Sequence, residues 1–256
     1  MSSSHTPSPR GGALVTGAGR RIGRVLALEA ARAGYDVAVH YRTARDEAEA
    51  VVAEIAVLGR RAVAVQGELS DPGIGALVGA ATEGVGPITL LVNSASTFED
   101  DRIGAVTAES WNKHLDANLR APVLLAQAFA AALPAGLRGL VVNLVDQRVL
   151  KPNPQFFSYT VSKAGLWWAT QTLAQALAPA VRVNAIGPGP VLASVHQAPG
   201  EFEAEAAATP LGAAVDPAEL AAALRYLIDA PSVTGQMIAV DGGQHLAWRT
   251  PDVLGS

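Results

Sequence analysis

Short apolar runs, many of them β-branched, alternate along the chain with longer alanine-rich segments whose apolar positions recur at helical spacing. The runs predict strands at 13–16, 36–40, 62–66, 90–93, 140–145, 182–185 and 237–240. The segments between them predict helices at 22–33, 44–58, 72–85, 108–133, 158–177 and 217–227. Strands that alternate with helices are typical of a parallel sheet covered on both faces. The pattern therefore predicts an α/β fold with a single doubly wound parallel sheet of about seven strands and helices on both faces.

No internal repeat or interdomain linker interrupts this alternation, so residues 11–256 are expected to form a single domain. Residues 1–10 are rich in Ser and Pro and lack an apolar core, which predicts a disordered tail rather than a secretion signal. The segment 187–214 has no clear strand pattern and carries several prolines. Two interpretations stay open for this segment, a mobile lid over a substrate or a short surface helix between loops.

The composition narrows the classes of function. Half of the 256 residues are hydrophobic, enough for a buried core, and a net charge of -4 gives no support for a nucleic-acid partner. The chain has no cysteine, which excludes disulfides and thiolate metal sites, and its histidines show no metal-ligand spacing. Gly, Pro or charged residues break each apolar run before it could span a bilayer. We expect a cytoplasmic protein with no nucleic-acid, membrane or metal partner.

The candidate chemistry lies near the middle of the chain. Tyr159 and Lys163 are four residues apart on a predicted helix, so their side chains share one face. A nearby ammonium favours the phenolate and lowers the pKa of tyrosine toward neutrality, which would make Tyr159 a usable proton donor. Asp146 ends the preceding predicted strand, and a carboxylate there would couple to the ionisation of Tyr159. Because such spacing also arises by chance, its meaning depends on the rest of the chain.

The other end of the domain supplies that context. Gly17 and Gly23 mark a glycine-rich turn between the first predicted strand and the first predicted helix. In Rossmann-type sheets, such a turn and the following helix N-terminus face an anionic phosphate. A purely structural turn is the alternative. Combined with the tyrosine and lysine pair, the turn predicts a nicotinamide-dependent reductase.

The second predicted strand indicates which nicotinamide cofactor is used. Sites for NAD usually place an acid at the end of this strand, where it binds the ribose 2′-hydroxyl. Here the strand leads into Arg42, and no acid occurs before Asp46. A cation at this point, together with Arg21 in the turn, suits a 2′-phosphate and therefore NADPH. A surface arginine without a partner is the alternative for Arg42.

These residues resemble the short-chain dehydrogenase/reductase family over nearly the whole chain, from Gly12 to residue 243. Residues 93–96 (Asn-Ser-Ala-Ser) are similar to the family motif that ends the fourth strand, and 184–189 to the segment that borders the nicotinamide. The resemblance implies that Asn118 supports a water leading to Lys163, which in turn holds the nicotinamide ribose. It also implies that the long helix carrying Tyr159 pairs with its copy in a homodimer or homotetramer.

Two departures from the general family pattern coincide. Arg21 replaces the middle glycine of the turn, and Asp146 replaces the catalytic serine of the family. Both features are similar to pteridine reductases and bacterial dihydromonapterin reductases. The resemblance implies that Arg21 contacts cofactor phosphate and pterin, that Ser96 forms a hydrogen bond and that Phe98 stacks on the pterin ring. Without this resemblance, an aromatic residue after a strand would be interpreted as part of the core.

The complete set of expected site residues follows from the resemblance. The expected catalytic residues are Asp146, Tyr159, Lys163 and Asn118. The expected substrate contacts are Arg21, Ser96, Phe98, Asp146 and Tyr159. Besides Tyr159 and Lys163, the expected NADPH-binding residues are Gly17, Arg20, Arg21, Ile22, Gly23, His40, Tyr41, Arg42, Thr43, Glu68, Leu69, Asn93, Ser94, Ala95, Pro188, Gly189 and Val191.

The carboxyl in place of serine indicates the reaction. Reduction of a C=N bond requires a proton on nitrogen, and a carboxyl can carry a proton where a serine hydroxyl mostly forms hydrogen bonds. We therefore expect an NADPH-dependent oxidoreductase that acts on a small heteroaromatic, pterin-like substrate such as dihydrobiopterin, dihydromonapterin or dihydrofolate. Tyr159 and Asp146 together are expected to supply the proton. The alternatives are a general short-chain ketoreductase acting on a 3-oxoacyl thioester, sugar or other ketone, and a non-catalytic NADPH-binding regulator.

Overall fold

A computed structural model describes residues 10–248 of the protein. Within this range, seven strands form one sheet whose neighbouring pairs are all parallel. They are β1 (Gly12–Val15), β2 (Asp36–Tyr41), β3 (Ala62–Gln66), β4 (Ile88–Asn93), β5 (Gly139–Leu144), β6 (Val181–Pro188) and β7 (Met237–Val240). Their order across the sheet is β3-β2-β1-β4-β5-β6-β7. The predicted α/β fold with one doubly wound sheet is confirmed.

Eight α-helices connect these strands in the described part of the chain. They are α1 (Arg21–Arg32), α2 (Arg45–Val57), α3 (Ala76–Val85), α4 (Ala108–Leu115), α5 (Ala121–Ala132), α6 (Phe157–Leu177), α7 (Glu201–Ala207) and α8 (Pro217–Asp229). The helix predicted over 108–133 is divided into α4 and α5 by a π-helical turn, Asp116–Arg120. The helix predicted from residue 72 begins only at Ala76.

The helices cover both faces of the sheet. α1 contacts α8, and α3 contacts α5. Along β1, Ala13 and Val15 belong to one apolar cluster and Leu14 to the other. This division follows from the alternation of side chains along a strand, and it explains why the parallel strands are apolar at consecutive positions.

Local sequence determines where α8 begins. The Asp216 side chain accepts a hydrogen bond from the Ala218 N–H, and the Glu219 side chain accepts one from the Asp216 N–H. Pro217 occupies the first turn, where its missing N–H costs no helical hydrogen bond. Asp216 is thus the N-cap of α8.

The segment 187–214 combines the end of β6, loops and the short helix α7. Residues 1–9 of the predicted tail lie outside the described residues. Between residues 10 and 248, none of the helices combines the length and the apolar character needed to cross a membrane. The same residues contain no group of His, Asp and Glu side chains that could hold a metal ion.

Candidate active site

A cleft of about 1340 Å³ contains most of the predicted site residues. Doubly wound sheets bind ligands beyond the carboxyl ends of their strands, where the strand order reverses, here between β1 and β4. The predicted residues that line the cleft are Gly17, Arg20, Arg21, Ile22, Gly23, His40, Arg42, Glu68, Leu69, Ser94, Ala95, Ser96, Phe98, Asp146, Tyr159, Pro188, Gly189 and Val191. A smaller groove of about 610 Å³ beside α1 and α8 contains none of them.

The turn between β1 and α1 requires glycine at two positions. Gly17 has a φ of +63°, and a Cβ atom there would lie 2.9 Å from the Cα atom of Ala95. A Cβ atom on Gly23 would lie 2.2 Å from the carbonyl oxygen of Gly17. Any larger residue would push the turn away from the chain after β4 or from its own helix. At these two glycines, the wall of the cleft therefore consists of backbone atoms alone.

The start of α1 suits an anion. Its first turn contains no acidic residue, and no side chain within the described range caps it. A helix N-terminus carries partial positive charge and free N–H groups, so this turn fits a dinucleotide phosphate. The Arg42 side chain is 61% exposed, and its Nε atom lies 4.0 Å from the Glu68 carboxylate. Because this distance is long for an ion pair, the pairing is loose and the guanidinium stays accessible. Arg20 is paired more closely, with Glu47 at 3.0 Å.

His40 supports the turn from within the fold. Its Nδ1 atom accepts a hydrogen bond from the Gly17 N–H at 3.1 Å, and its Nε2 atom lies 3.1 Å from the Gly67 carbonyl oxygen. Because Nδ1 accepts, Nε2 carries the proton and donates to Gly67. Burial lowers the pKa of His40, in agreement with a neutral ring. Both ring nitrogens are therefore already used inside the protein.

Four residues predicted to bind cofactor are not among those that line the cleft: Tyr41, Thr43 and Asn93, and also Lys163, whose position is described below. Tyr41 packs in the apolar core, and Thr43 is exposed in the loop after β2. Asn93 points into the sheet, where it donates to the Asn143 Oδ1 atom at 2.8 Å. The alternation of side chains along β2 and β4 explains the inward positions of Tyr41 and Asn93. The side chains of Tyr41 and Asn93 therefore lie within the fold, and the cofactor contacts of these residues stay predictions.

Asp146, Tyr159 and Lys163 meet where α6 passes the end of β5. The Tyr159 hydroxyl donates to the Asp146 Oδ2 atom at 2.8 Å. The Lys163 Nζ atom donates to the Leu144 carbonyl oxygen at 2.7 Å and lies 5.7 Å from the centre of the Tyr159 ring. The Asp146 Oδ1 atom accepts from the Arg148 N–H at 2.8 Å, which fixes the orientation of the carboxyl. The structure thus assembles two proton-carrying groups and a cation.

Burial dominates the proton affinities of these three groups. Burial raises the pKa of Asp146 above its ordinary value. Burial, followed by the Asp146 carboxylate, raises the pKa of Tyr159 well above its ordinary value. Burial also lowers the pKa of Lys163 to about 8, although Asp146 opposes this change. The prediction that Lys163 brings the pKa of Tyr159 toward neutrality is wrong for this structure, because the phenol is buried beside a carboxylate and keeps its proton.

Asn118 holds the segment that follows β4 against the cleft. It lies fully buried in the π-helical turn, a feature that often marks functional positions in helices. Its Oδ1 atom accepts from the Thr97 N–H at 2.8 Å and from the Ser96 hydroxyl at 3.2 Å. Its Nδ2 atom donates to the Thr97 carbonyl oxygen at 2.9 Å. The predicted water path from Asn118 to Lys163 stays a prediction.

Phe98 belongs to an aromatic cluster that the sequence analysis did not identify. Its ring stacks on Phe156 with centres 4.2 Å apart and planes 11° apart, and it meets Tyr159 edge-on at 4.7 Å. His196, from the segment 187–214, lies 5.8 Å from Phe98, and its Nε2 atom is 2.9 Å from the Phe98 carbonyl oxygen. Phe156 has a left-handed φ of +52°, which no sequence pattern signals. One face of the predicted stacking ring is therefore covered by protein.

Arg21 connects the glycine-rich turn to the segment 187–214. Its guanidinium donates to the carbonyl oxygens of Leu192 and Ala193, each at 3.0 Å. With the contact between His196 and Phe98, these bonds hold the segment against the cleft. If Arg21 contacts the cofactor phosphate and the pterin as predicted, its guanidinium must do so in addition to binding these two carbonyl oxygens.

A buried polar network, also missed in the sequence, fixes the start of α6. The Ser158 hydroxyl donates to the Asp101 Oδ2 atom at 2.5 Å and lies 2.7 Å from the His114 Nδ1 atom. The His114 Nε2 atom accepts from the Glu99 N–H at 3.1 Å, so Nδ1 carries the proton and the ring is neutral. Burial lowers the pKa of His114, which agrees with a neutral ring. Since Ser158 precedes Tyr159, the network sets the position of the catalytic candidate.

Two residues next to Asp146 carry buried polar atoms without a hydrogen-bond partner. They are the Gln147 Oε1 atom and the Arg148 Nη1 atom, unpaired among residues 10–248. Both residues line the cleft, and neither belongs to a motif that the sequence analysis could use. Unsatisfied buried groups in a native fold commonly mark a place where something else binds.

Comparison with known proteins identifies the family. A family model described as enoyl-(acyl carrier protein) reductase matches residues 17–245. The structure of FolM alternative dihydrofolate reductase 1 from Brucella canis, complexed with NADP, is 49% identical, covers 95% of this chain and 97% of that chain, and superposes with a TM-score of 0.92. A short chain dehydrogenase from Burkholderia cenocepacia in complex with NADP is 31% identical over 92% of this chain and 98% of that chain, with a TM-score of 0.86.

A curated relative extends the comparison to another activity. The 3-oxoacyl-(acyl-carrier-protein) reductase FabG of Staphylococcus aureus is 31% identical over 240 residues, which are 91% of this chain and 98% of the relative. These matches agree with the single parallel sheet of the fold. The chain therefore belongs to the short-chain dehydrogenase/reductase family.

Proposed function

We propose that the protein is an NADPH-dependent reductase of a C=N bond in a pterin-like substrate, such as dihydrobiopterin, dihydromonapterin or dihydrofolate. The observation that carries this proposal is the hydrogen bond from Tyr159 to Asp146 at 2.8 Å, inside a cleft that also contains the glycine-rich turn. A phenol and a carboxyl in direct contact can pass a proton to a substrate nitrogen, which a serine at position 146 could not carry.

The cofactor assignment rests on the glycine-rich turn and on Arg42. Gly17, Gly23 and the start of α1 would hold the pyrophosphate, and the exposed Arg42 would bind a 2′-phosphate. Bound NADPH supplies the hydride. The Brucella canis and Burkholderia cenocepacia structures, both with NADP, support this choice.

The proton would come from Tyr159 and Asp146 acting as one unit. Because Tyr159 keeps its proton in this environment, its hydroxyl is a donor at neutral pH. Asp146, whose pKa is raised by burial, can take up a proton from water and pass it to the phenol after transfer. Lys163, held by the Leu144 carbonyl oxygen, would stabilise the negative charge that develops on the pair as the proton leaves.

The pterin-like substrate is supported by the part of the cleft wall that follows β4. Ser96, held by Asn118, and Phe98, beside Tyr159, lie within reach of a flat ring bound at the phenol. The Brucella canis protein, at 49% identity, is named as an alternative dihydrofolate reductase. That name concerns the neighbour, and it supports the same substrate class here.

A ketone substrate is the second candidate. The Staphylococcus aureus relative is named as a 3-oxoacyl reductase, and the matching family model is also named for a reductase of acyl-carrier substrates. Asp146 argues against this candidate, because it replaces the serine hydroxyl that would polarise the oxygen of a ketone.

The deciding experiment measures NADPH oxidation by the purified protein with the three dihydropterins and with a panel that includes a 3-oxoacyl thioester, a sugar ketone and small ketones. We expect turnover on the pterins and little on the ketones. Turnover on ketones alone would refute the proposal and favour the ketoreductase. Tight NADPH binding without turnover on any of these compounds would favour a non-catalytic binding protein.

We also propose a homodimer or homotetramer built on α6. Trp167 is partly buried against Leu166, whereas Trp168 is 68% exposed on the same helix. A large exposed aromatic side chain on a long helix is typical of a subunit interface. Light scattering of the protein and of Trp168→Ala would test this, with loss of the oligomer in the variant as the expected result.

A further inference from the structure

Arg148 is a partly buried cation in the cleft without a counter-ion. Four other basic side chains around the cleft form ion pairs: Arg20 with Glu47, Arg42 with Glu68, Arg102 with Asp100 and Lys113 with Glu99. A fifth, Arg21, donates to two backbone carbonyl oxygens. Within residues 10–248, Arg148 forms no ion pair, and its buried Nη1 atom has no hydrogen-bond partner. Removing a guanidinium from water costs free energy that only a partner can offset. The cleft thus contains a positive group that lacks its complement.

The position of Arg148 is fixed by its surroundings. Asp146 caps the short 3₁₀ turn Gln147–Val149 and accepts from the Arg148 N–H at 2.8 Å. The guanidinium carbon lies 5.2 Å from the ring centre of Phe156 and 5.8 Å from that of Phe98. Contact with aromatic faces holds an arginine in place without neutralising it. The cation is therefore held beside the stacking ring and the proton-donating pair.

A substituent on a flat ring bound near Phe98 and Tyr159 would pass this guanidinium. Asp146 lies near enough to interact with the charge of Arg148 but forms no ion pair with it, since its oxygens accept from the backbone N–H of Arg148 and the hydroxyl of Tyr159. A guanidinium with free donors binds carboxylates through charge-assisted hydrogen bonds more strongly than it binds neutral groups. The substrate that fits this surface carries an acid on the substituent of its ring.

We propose that Arg148 is a specificity-determining residue that binds a carboxylate on the substituent of the heteroaromatic substrate. The inference rests on the proposed function and refines it, since it selects an acid-bearing dihydropterin such as dihydrofolate over a neutral one such as dihydrobiopterin.

The test compares kcat/KM for dihydrofolate and dihydrobiopterin in the wild-type enzyme, Arg148→Gln, Arg148→Lys and Arg102→Gln. We expect the wild-type enzyme to prefer dihydrofolate. In Arg148→Gln the ratio of dihydrofolate to dihydrobiopterin should fall about tenfold, the loss of one charge-assisted hydrogen bond. Arg148→Lys should recover part of the ratio, because it keeps the charge but not the planar fork. This second variant also serves if the glutamine variant does not fold.

Arg102→Gln is the matched control. It removes the same charge from an exposed arginine whose partner, Asp100, lies at 3.3 Å. A ratio unchanged in Arg148→Gln, or lowered equally in both glutamine variants, would overturn the role of Arg148 while leaving the reductase proposal intact. Failure of the wild-type enzyme to reduce either dihydropterin would overturn the proposed function itself, and with it this inference.

Discussion

Replacing Asp146 by asparagine separates the proton chemistry of the site from its shape. The two side chains are nearly isosteric. An asparagine Oδ1 atom can still accept the hydrogen bond that the Arg148 N–H donates to Asp146 at 2.8 Å in the wild-type protein. The amide NH₂ would then face the Tyr159 hydroxyl and donate to it, which reverses the present hydrogen bond. The variant therefore keeps the contacts of the site and loses its second proton carrier.

The expected effect is a lower kcat with dihydropterin. General acid catalysis contributes about 10²–10⁴ in rate, and Tyr159 remains as a donor, so we expect the lower end, about 100-fold or ~2.7 kcal/mol. KM should change less than about threefold, because the lost interaction acts in the transition state. Thermal stability should not fall, since burial raises the pKa of Asp146 and the carboxylate is the costly form in this position.

The assay is NADPH oxidation with dihydropterin over a range of pH, with Asp46→Asn as a control that removes an exposed carboxylate from α2. In the wild-type enzyme, activity should decline as pH rises through the raised pKa of Asp146, because the pair then loses its mobile proton. That decline should be absent from Asp146→Asn. A variant that retains kcat within about threefold of wild type, with the same pH profile, would refute the role assigned to the acid.

Three further changes test other parts of the site. Phe98→Ala should raise KM for a dihydropterin by about 2- to 10-fold through lost stacking and leave NADPH binding nearly unchanged, whereas equal losses for both ligands would indicate a folding defect. Arg42→Gln should lower the ratio of kcat/KM for NADPH over NADH, and an unchanged ratio would show that Arg42 does not read the 2′-phosphate. Since burial lowers the pKa of Lys163 to about 8 while an unfolded lysine titrates near 10.4, the unfolded chain binds more protons between these values. Urea unfolding should therefore show stability rising by about 2 kcal/mol from about pH 7 to about pH 9.5 relative to Lys163→Met, and parallel curves would contradict this pKa.

The regular part of the fold was predictable because it depends on local pattern. The parallel strands are short, apolar and separated by helical segments, and burial of both faces follows from that alternation. The π-helical turn at Asp116–Arg120 was not predictable, because one widened turn barely changes the apolar spacing of a long helical segment. That turn is what buries Asn118 at the cleft, so the deviation matters for the site.

The site was predictable where a motif lies at one strand end or on one helix face. Tyr159 and Lys163, and the glycines of the turn, meet this condition. The aromatic contacts of Phe98 do not, since Phe156 depends on a left-handed backbone angle and His196 comes from a segment without pattern. Such contacts join residues that are distant in the chain, and their geometry is set only by tertiary packing.

The proton affinities were the part of the site that sequence reasoning reversed, and the reversal changes the mechanism. Spacing along α6 places Lys163 near Tyr159, but it does not reveal that both groups are buried or that a carboxyl touches the phenol. Burial disfavours each charged form: it raises the pKa of Asp146, it raises that of Tyr159 together with Asp146, and it lowers the pKa of Lys163 to about 8. A site arranged in this way favours a protonated phenol over a phenolate. This property suits a substrate whose nitrogen must be protonated as hydride arrives, and it connects the exchange of serine for Asp146 to the choice of a C=N bond.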